Sequence, residues 1–288
     1  MSPPHRDLQL PETIRATFEV AARAWLEAEP RRPAVTPKDA ASVLLLREVV
    51  GEHGPRVEVF TQRRVPAMAF AASMHVYPGG GVDARDADGD LAWAGPGRTP
   101  TQWADVLAVD CERARMIVLA AVRELFEECG VLFAGRGSET TLTDLGGRWQ
   151  DHRAELVCRR LTLAEMARRE SLVVRSDLLH PVARWVTPEC EALRYDTFFF
   201  AALVPDGQVA DGQTSEAREA GWVAPCELLR REGDTLMAPT RMLAEQLAKA
   251  DSLRAFLQRW PSLAPVRPYP VDTALGIRLR VPATPGTV

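Results

Sequence analysis

Apolar positions recur along this chain in two rhythms, and each predicts a set of elements. Residues 11–29 place them at helical spacing and end at Pro30 and Pro33, which predicts an amphipathic helix. Residues 41–47 form an apolar run of strand length, Gly51 and Gly54-Pro55 a turn, and residues 57–63 alternate, which together predict a hairpin. His75-Val76-Tyr77 reads as a short strand running into Pro78-Gly79-Gly80-Gly81. Residues 84–100, rich in Asp, Gly, Ala and Pro, read as a surface excursion. The helical period returns at Thr101 and is strongest from Glu112 to Gly130, where the glycine stands at a C-cap position. A further helical stretch, 148–170, breaks near Leu161-Thr162, with Thr162 placed to cap the second part. Strands are expected at 182–186, 196–204 and 221–223, and helices at 225–231, 239–249 and 251–260. From Pro261 the tail reads as extended, with residues 277–281 alternating like an edge strand. Helices and strands without strict alternation point to an α/β or α+β class.

Composition narrows the function. The chain has 288 residues, 46% hydrophobic and 26% charged, with a net charge of −4. That size supports one large domain or two small ones with a real core. The slightly acidic balance argues against a nucleic-acid binder. No apolar run approaches the roughly 20 residues that span a bilayer, and residues 1–7, with no apolar stretch behind them, are not expected to act as a signal peptide. The 5 cysteines form no C-x-x-C pair, so reduced thiols in a cytoplasmic protein are expected.

The segment Arg123-Glu124-Leu125-Phe126-Glu127-Glu128-Cys129-Gly130-Val131 carries the most chemistry. On a helical wheel Val118, Val122, Leu125, Phe126 and Cys129 share one face. Glu124, Glu127 and Glu128 share the opposite one. Three crowded carboxylates repel each other, and near a helix C-terminus the macrodipole disfavours them too. A solvated charged face is the plain reading. A hard divalent cation, which takes oxygen ligands, would cancel the repulsion. The glycine turn upstream offers a place where backbone approaches a phosphate or metal closely.

These residues resemble the Nudix box, G-x5-E-x7-R-E-U-x-E-E-x-G-U with U aliphatic. Residues 123–131 match every defined position of its second half, and Pro78-Gly79-Gly80-Gly81-Val82-Asp83 resembles its first half. Two departures stand out: Asp86 occupies the position of the first glutamate, and residues 87–115 are inserted ahead of the helix. Such a split box is similar to the Nudix branch that includes the coenzyme A diphosphatases. So are His75-Val76-Tyr77-Pro78-Gly79-Gly80, Trp185-Val186-Thr187-Pro188 and Arg194-Tyr195-Asp196-Thr197-Phe198-Phe199. The resemblance covers roughly residues 41–260 and implies a Nudix fold, a mixed β-sheet sandwiched between α-helices; N- and C-terminal helical additions are expected beside it. The expected division is an N-terminal helix and linker (1–40), a Nudix domain (41–260) with an insertion near 87–115, and an extended tail (261–288), and the resemblance does not explain helix 11–29 or the tail.

The resemblance also implies Mg²⁺- or Mn²⁺-dependent hydrolysis of a nucleoside diphosphate linked to a second group. Coenzyme A or acyl-CoA is the expected substrate, with ADP-ribose or NADH next, and a non-catalytic nucleotide-binding module as the rival. Glu124 and Glu128 would be metal ligands, Glu127 would share the site, and the Gly80 carbonyl could add a backbone ligand. Arg123 would orient the glutamates. Glu216 stands six residues before Trp222, where the family has a further carboxylate, so it would ligate metal or act as base, with Glu219 in reserve. Asp83, Asp86 and Glu112 compete for the place of the first glutamate. Arg63 and Arg64 are candidates to hold substrate phosphate, because the guanidinium fork suits phosphate recognition. The expected partner is a small nucleotide, with no nucleic acid and no membrane. The oligomeric state stays open, a homodimer included.

Overall fold

Strand β1 (His5–Leu8) leads into helix α1 (Glu12–Glu27). A hairpin follows, β2 (Lys38–Gly51) and β3 (Gly54–Arg64), then the short strands β4 (His75–Val76) and β5 (Gly79–Gly81). Next come α2 (Pro100–Leu107), α3 (Cys111–Cys129), β6 (Ala134–Gly135), α4 (Arg148–Val157), α5 (Leu163–Arg169) and β7 (Val173–Val174). Strands β8 (His180–Val186), β9 (Tyr195–Leu203) and β10 (Ala217–Val223) precede α6 (Pro225–Glu232), α7 (Ala238–Ala248) and α8 (Leu253–Gln258). Strands β11 (Tyr269–Thr273) and β12 (Gly276–Pro282) follow. This computed structural model describes residues 4–30, 32–51, 54–68, 70–87, 97–137, 140–258 and 263–283.

The central sheet runs in the order β10-β3-β2-β9-β8, with β4 on β3 and β5 on β2. It is mixed: β2 and β9 are parallel, and the other pairs are antiparallel. The apolar run of β2 is continuous because both of its faces are covered. Val43 and Leu45 belong to the core on one face, Leu44 and Leu46 to the core on the other. Phe198 and Phe200 of β9 divide from Phe199 and Ala201 in the same way. Helices α2 to α5 cover the first face, and α1 with α6 to α8 the second.

The expected hairpin, the long α3 and the Thr162 cap all form. Thr162 accepts from the Glu165 N–H, and the Glu165 carboxylate accepts from the Thr162 N–H, a reciprocal capping box. Helix α3 starts at Asp110, whose side chain accepts from the Arg113 N–H, and stops at Gly130 with φ 70°. A left-handed residue there closes the helix without a Cβ clash.

Two expectations need correction. Residues 84–100 are not simply a surface excursion, although 88–96 lie outside the described residues. Asp86 is buried in a 3-10 turn. The helical period expected from Thr101 does form, as α2, which sends Trp103 and Leu107 into the core. The tail is no lone edge strand either. β12 is the middle strand of a second sheet, β1-β12-β11, which pairs residues 5–8 with residues 279–282. Its alternation is as expected, with Ile277, Leu279 and Val281 buried. Its partner β1 comes from the far end of the chain, and Asp7 accepts two hydrogen bonds from Arg280, both at 2.7 Å.

Candidate active site

The glycine turn and the acidic helix meet at the end of the sheet. β5 pairs with β2 through Gly79, Gly80 and Gly81 opposite Ser42, Ala41 and Ala40. That pairing lays the turn against the last turns of α3. The Gly79 N–H donates to Glu128 Oε2 at 2.9 Å. A Cβ on Gly79 would fall 2.2 Å from the Ala41 carbonyl oxygen, and its φ of +153° also favours glycine. A Cβ on Gly80 would fall 2.6 Å from the Glu124 carboxylate. Both positions require close approach of bare backbone.

Arg123 ties the halves of the motif together. Its Nε donates to Asp86 Oδ1 at 2.8 Å and its Nη2 to Asp86 Oδ2 at 2.9 Å. Nη2 also donates to the Gly81 carbonyl at 3.0 Å, and Nη1 to Glu124 at 2.7 Å and Glu127 at 3.4 Å. Asp86, not Asp83 or Glu112, is therefore the acid that meets the box arginine. Asp83 turns to Arg85 at 3.2 Å and is held down to about 2 by hydrogen bonds from that residue. Glu112 is exposed in the first turn of α3.

Burial pushes the Glu124 carboxyl up to about 7, with Glu127 adding repulsion and Arg123 opposing both. Glu127 is raised, chiefly by burial. Glu128 is raised well above the usual range, by burial first and then by the charge of Glu124. The helical wheel sets these acids away from the core, yet Glu128 is almost wholly buried, because the glycine turn covers that face.

Glu124, Glu127, Glu128, Gly80, Arg64 and Glu216 line one cleft of about 790 Å³. Glu216 receives a 3.0 Å hydrogen bond from Arg64 and is half-exposed. Glu219 does not line the cleft; it pairs with Arg218 at the exposed edge. Arg63 also stays outside, opposite His75 on β4, with its Nε 3.4 Å from the Ser73 carbonyl. Adjacent residues of a strand point to opposite faces, so only one of the two arginines can enter.

The donor set fits a hard divalent cation. It consists of carboxylate oxygens at a glycine-lined backbone, and Glu127 Oε1 is buried with no hydrogen-bond partner among the described residues. No three His, Cys, Asp or Glu side chains among the described residues form a ready-made cage; Arg123 holds Glu124 and Glu127, and Gly79 holds Glu128. Glu124, Glu127, Glu128 and Glu216 are the residues that could hold such an ion.

Sequence reasoning misses Arg153. This buried side chain donates to the Glu127 carbonyl at 3.0 Å, to both Asp211 oxygens at 2.9 Å and to the Gln213 carbonyl at 3.3 Å. It thus joins the end of α3 to the loop that carries Glu216. The signal is visible in hindsight: Trp149, Arg153 and Leu156 share the buried stripe of α4.

The chain matches no protein-family model and no curated protein. Solved structures do match. A Nudix hydrolase from Alicyclobacillus acidocaldarius aligns with a TM-score of 0.64 at 21% identity, over 80% of this chain and 99% of that one. A MutT protein from Methanosarcina mazei Go1 aligns at 0.36 and 16% identity, over 74% and 94%. An Ap4A hydrolase from C. elegans aligns at 0.35 and 13%, over 72% and 93%. The last two scores are too low to support an argument. The first defines the fold: a Nudix hydrolase fold, with a mixed sheet between layers of helices. Among the described residues no helix is long and apolar enough to cross a membrane.

Proposed function

We propose that this chain is a Mg²⁺- or Mn²⁺-dependent hydrolase that cleaves the diphosphate of a nucleoside diphosphate linked to a second group. The observation that carries the reading is the convergence of Glu124, Glu127, Glu128 and Glu216 on one cleft, beside a glycine turn that fits against two of them. A bound divalent ion would polarise phosphoryl oxygens and favour a hydroxide nucleophile. Glu124 and Glu128 would hold it with Glu127 and Gly80. Glu216, half-exposed on a loop, suits the general base that takes a proton from water. Arg123 acts indirectly, by fixing Glu124 and Glu127.

Coenzyme A or acyl-CoA, cut to 3′,5′-ADP and 4′-phosphopantetheine or its acyl form, is the preferred substrate. The motif resemblance supports it. ADP-ribose or a dinucleotide such as NADH is the second reading, and one observation favours it. The cleft arginines all face carboxylates: Arg64 pairs with Glu216, Arg85 with Asp83 and Arg123 with Asp86, while exposed Arg159 lies 3.6 Å from Asp83. Among the described residues that line the cleft, every arginine thus stands beside a carboxylate and no lysine is present to meet a 3′-phosphate.

The test is hydrolysis of coenzyme A, 3′-dephospho-CoA, ADP-ribose and NADH with Mg²⁺ or Mn²⁺, products separated by chromatography. Faster cleavage of coenzyme A than of its dephospho form supports the first reading. Equal rates, or a preference for ADP-ribose or NADH, support the second. No metal-dependent cleavage of any of them overturns the proposal.

A further inference from the structure

Much of the cleft has no part in diphosphate chemistry. Helix α1 lines it with Ile14, Thr17 and Phe18, and Met68, Phe70 and Met237 line it as well. Ile14, Met68, Phe70 and Met237 are only half-buried, so these large apolar groups border open space instead of filling a core. The volume of about 790 Å³ lies toward the upper end of the roughly 300–1,000 Å³ typical of sites for drug-sized ligands. It is continuous with the glutamates. Among the described residues its lining has no lysine and no histidine, and its four arginines stand beside carboxylates.

Helix α1 is a fixed wall of this space. Phe18 and Ala22 share a core with Ile277, Leu279 and Val281 of the C-terminal sheet. Thr13 Oγ1 donates to Met74 Sδ at 3.2 Å, and the Arg15 guanidinium donates to the Leu10 carbonyl at 3.1 and 3.2 Å. The helix is held while Ile14 and Thr17 face the cleft.

We propose that α1 forms an aliphatic subsite, which receives an uncharged, apolar group attached to the distal phosphate of a nucleoside diphosphate. The assignment rests on the diphosphate chemistry proposed above and gives Ile14 and Thr17 the role of specificity determinants. The sheet of β1, β12 and β11, by pinning α1, takes part in substrate selection.

The test uses α,β-methylene-ADP carrying a methyl or an octyl group on its β-phosphate, titrated into the full chain with Mg²⁺ by calorimetry. The methylene bridge prevents cleavage, so binding alone is read. The octyl compound is expected to bind about tenfold or more tightly than the methyl one. Ile14→Asp and Thr17→Asp should each reduce that ratio to about twofold or less, because a charged group would face the chain. Thr17 is solvent-exposed, so its variant separates loss of the subsite from loss of folding. Equal affinities in the unmodified protein, or an octyl advantage kept in both variants, overturn the subsite alone. Binding of neither compound overturns the diphosphate reading with it.

Discussion

Arg123 and Asp86 form a two-pronged ion pair, 2.8 and 2.9 Å, between side chains almost completely buried and 37 residues apart in sequence. The pair ties the segment that follows the glycine turn to helix α3. A shorter acid serves because the 3-10 turn brings residues 84–87 against α3. Asp86→Asn should cost about 3 kcal/mol, the lower end for breaking a buried pair, since Arg123 keeps Glu124 and Glu127. Urea unfolding checks this: the midpoint should fall with an unchanged slope. An unaltered midpoint would deny the pair its structural role.

Gly80 and Glu124 are coupled by contact. An alanine methyl at residue 80 would stand 2.6 Å from a carboxylate that Arg123 pins. Gly80→Ala should destabilise by about 1–3 kcal/mol and lower turnover by about tenfold or more. In a Glu124→Ala background the stability loss should largely vanish, which a double-mutant cycle measures. Additive losses would show that the two residues do not touch.

Arg153 should act on rate through the loop it holds. Arg153→Ala is expected to lower kcat by about tenfold or more with a smaller change in KM, since Glu216 would lose its fixed position. Hydrogen exchange gives an independent readout: amides of 211–216 should lose protection while those of α3 keep theirs. Unchanged exchange in that loop would remove the positioning role.

The helix of the candidate site is legible in the sequence because its local signals agree. Helical period, three glutamates and a terminal glycine all fall on 112–130. The burial of Glu128 is not legible, because the strand that covers it lies some way upstream and becomes a neighbour only by pairing with β2. The choice between Arg63 and Arg64 depends on strand parity, which similar neighbouring residues leave undetermined. Helix α2 is partly legible. Its helical period is readable from Thr101, but its cap, where Thr99 and Gln102 bond reciprocally, begins inside a stretch whose Asp, Gly and Pro content reads as loop. The position of β12 depends on β1, a four-residue polar strand with no pattern of its own.

The proposal that α3 is the catalytic helix rests most directly on Glu128, which accepts a hydrogen bond from the Gly79 N–H of the glycine turn. Glu128→Gln removes one charge and keeps the volume. The measurement is Mg²⁺-dependent turnover of whichever nucleoside diphosphate derivative the unmodified protein cleaves fastest, with folding verified by circular dichroism. A loss of about a hundredfold or more in kcat with the fold intact is the expected result. Turnover equal to that of the unmodified protein would contradict the assignment of α3 as the metal-binding and catalytic helix.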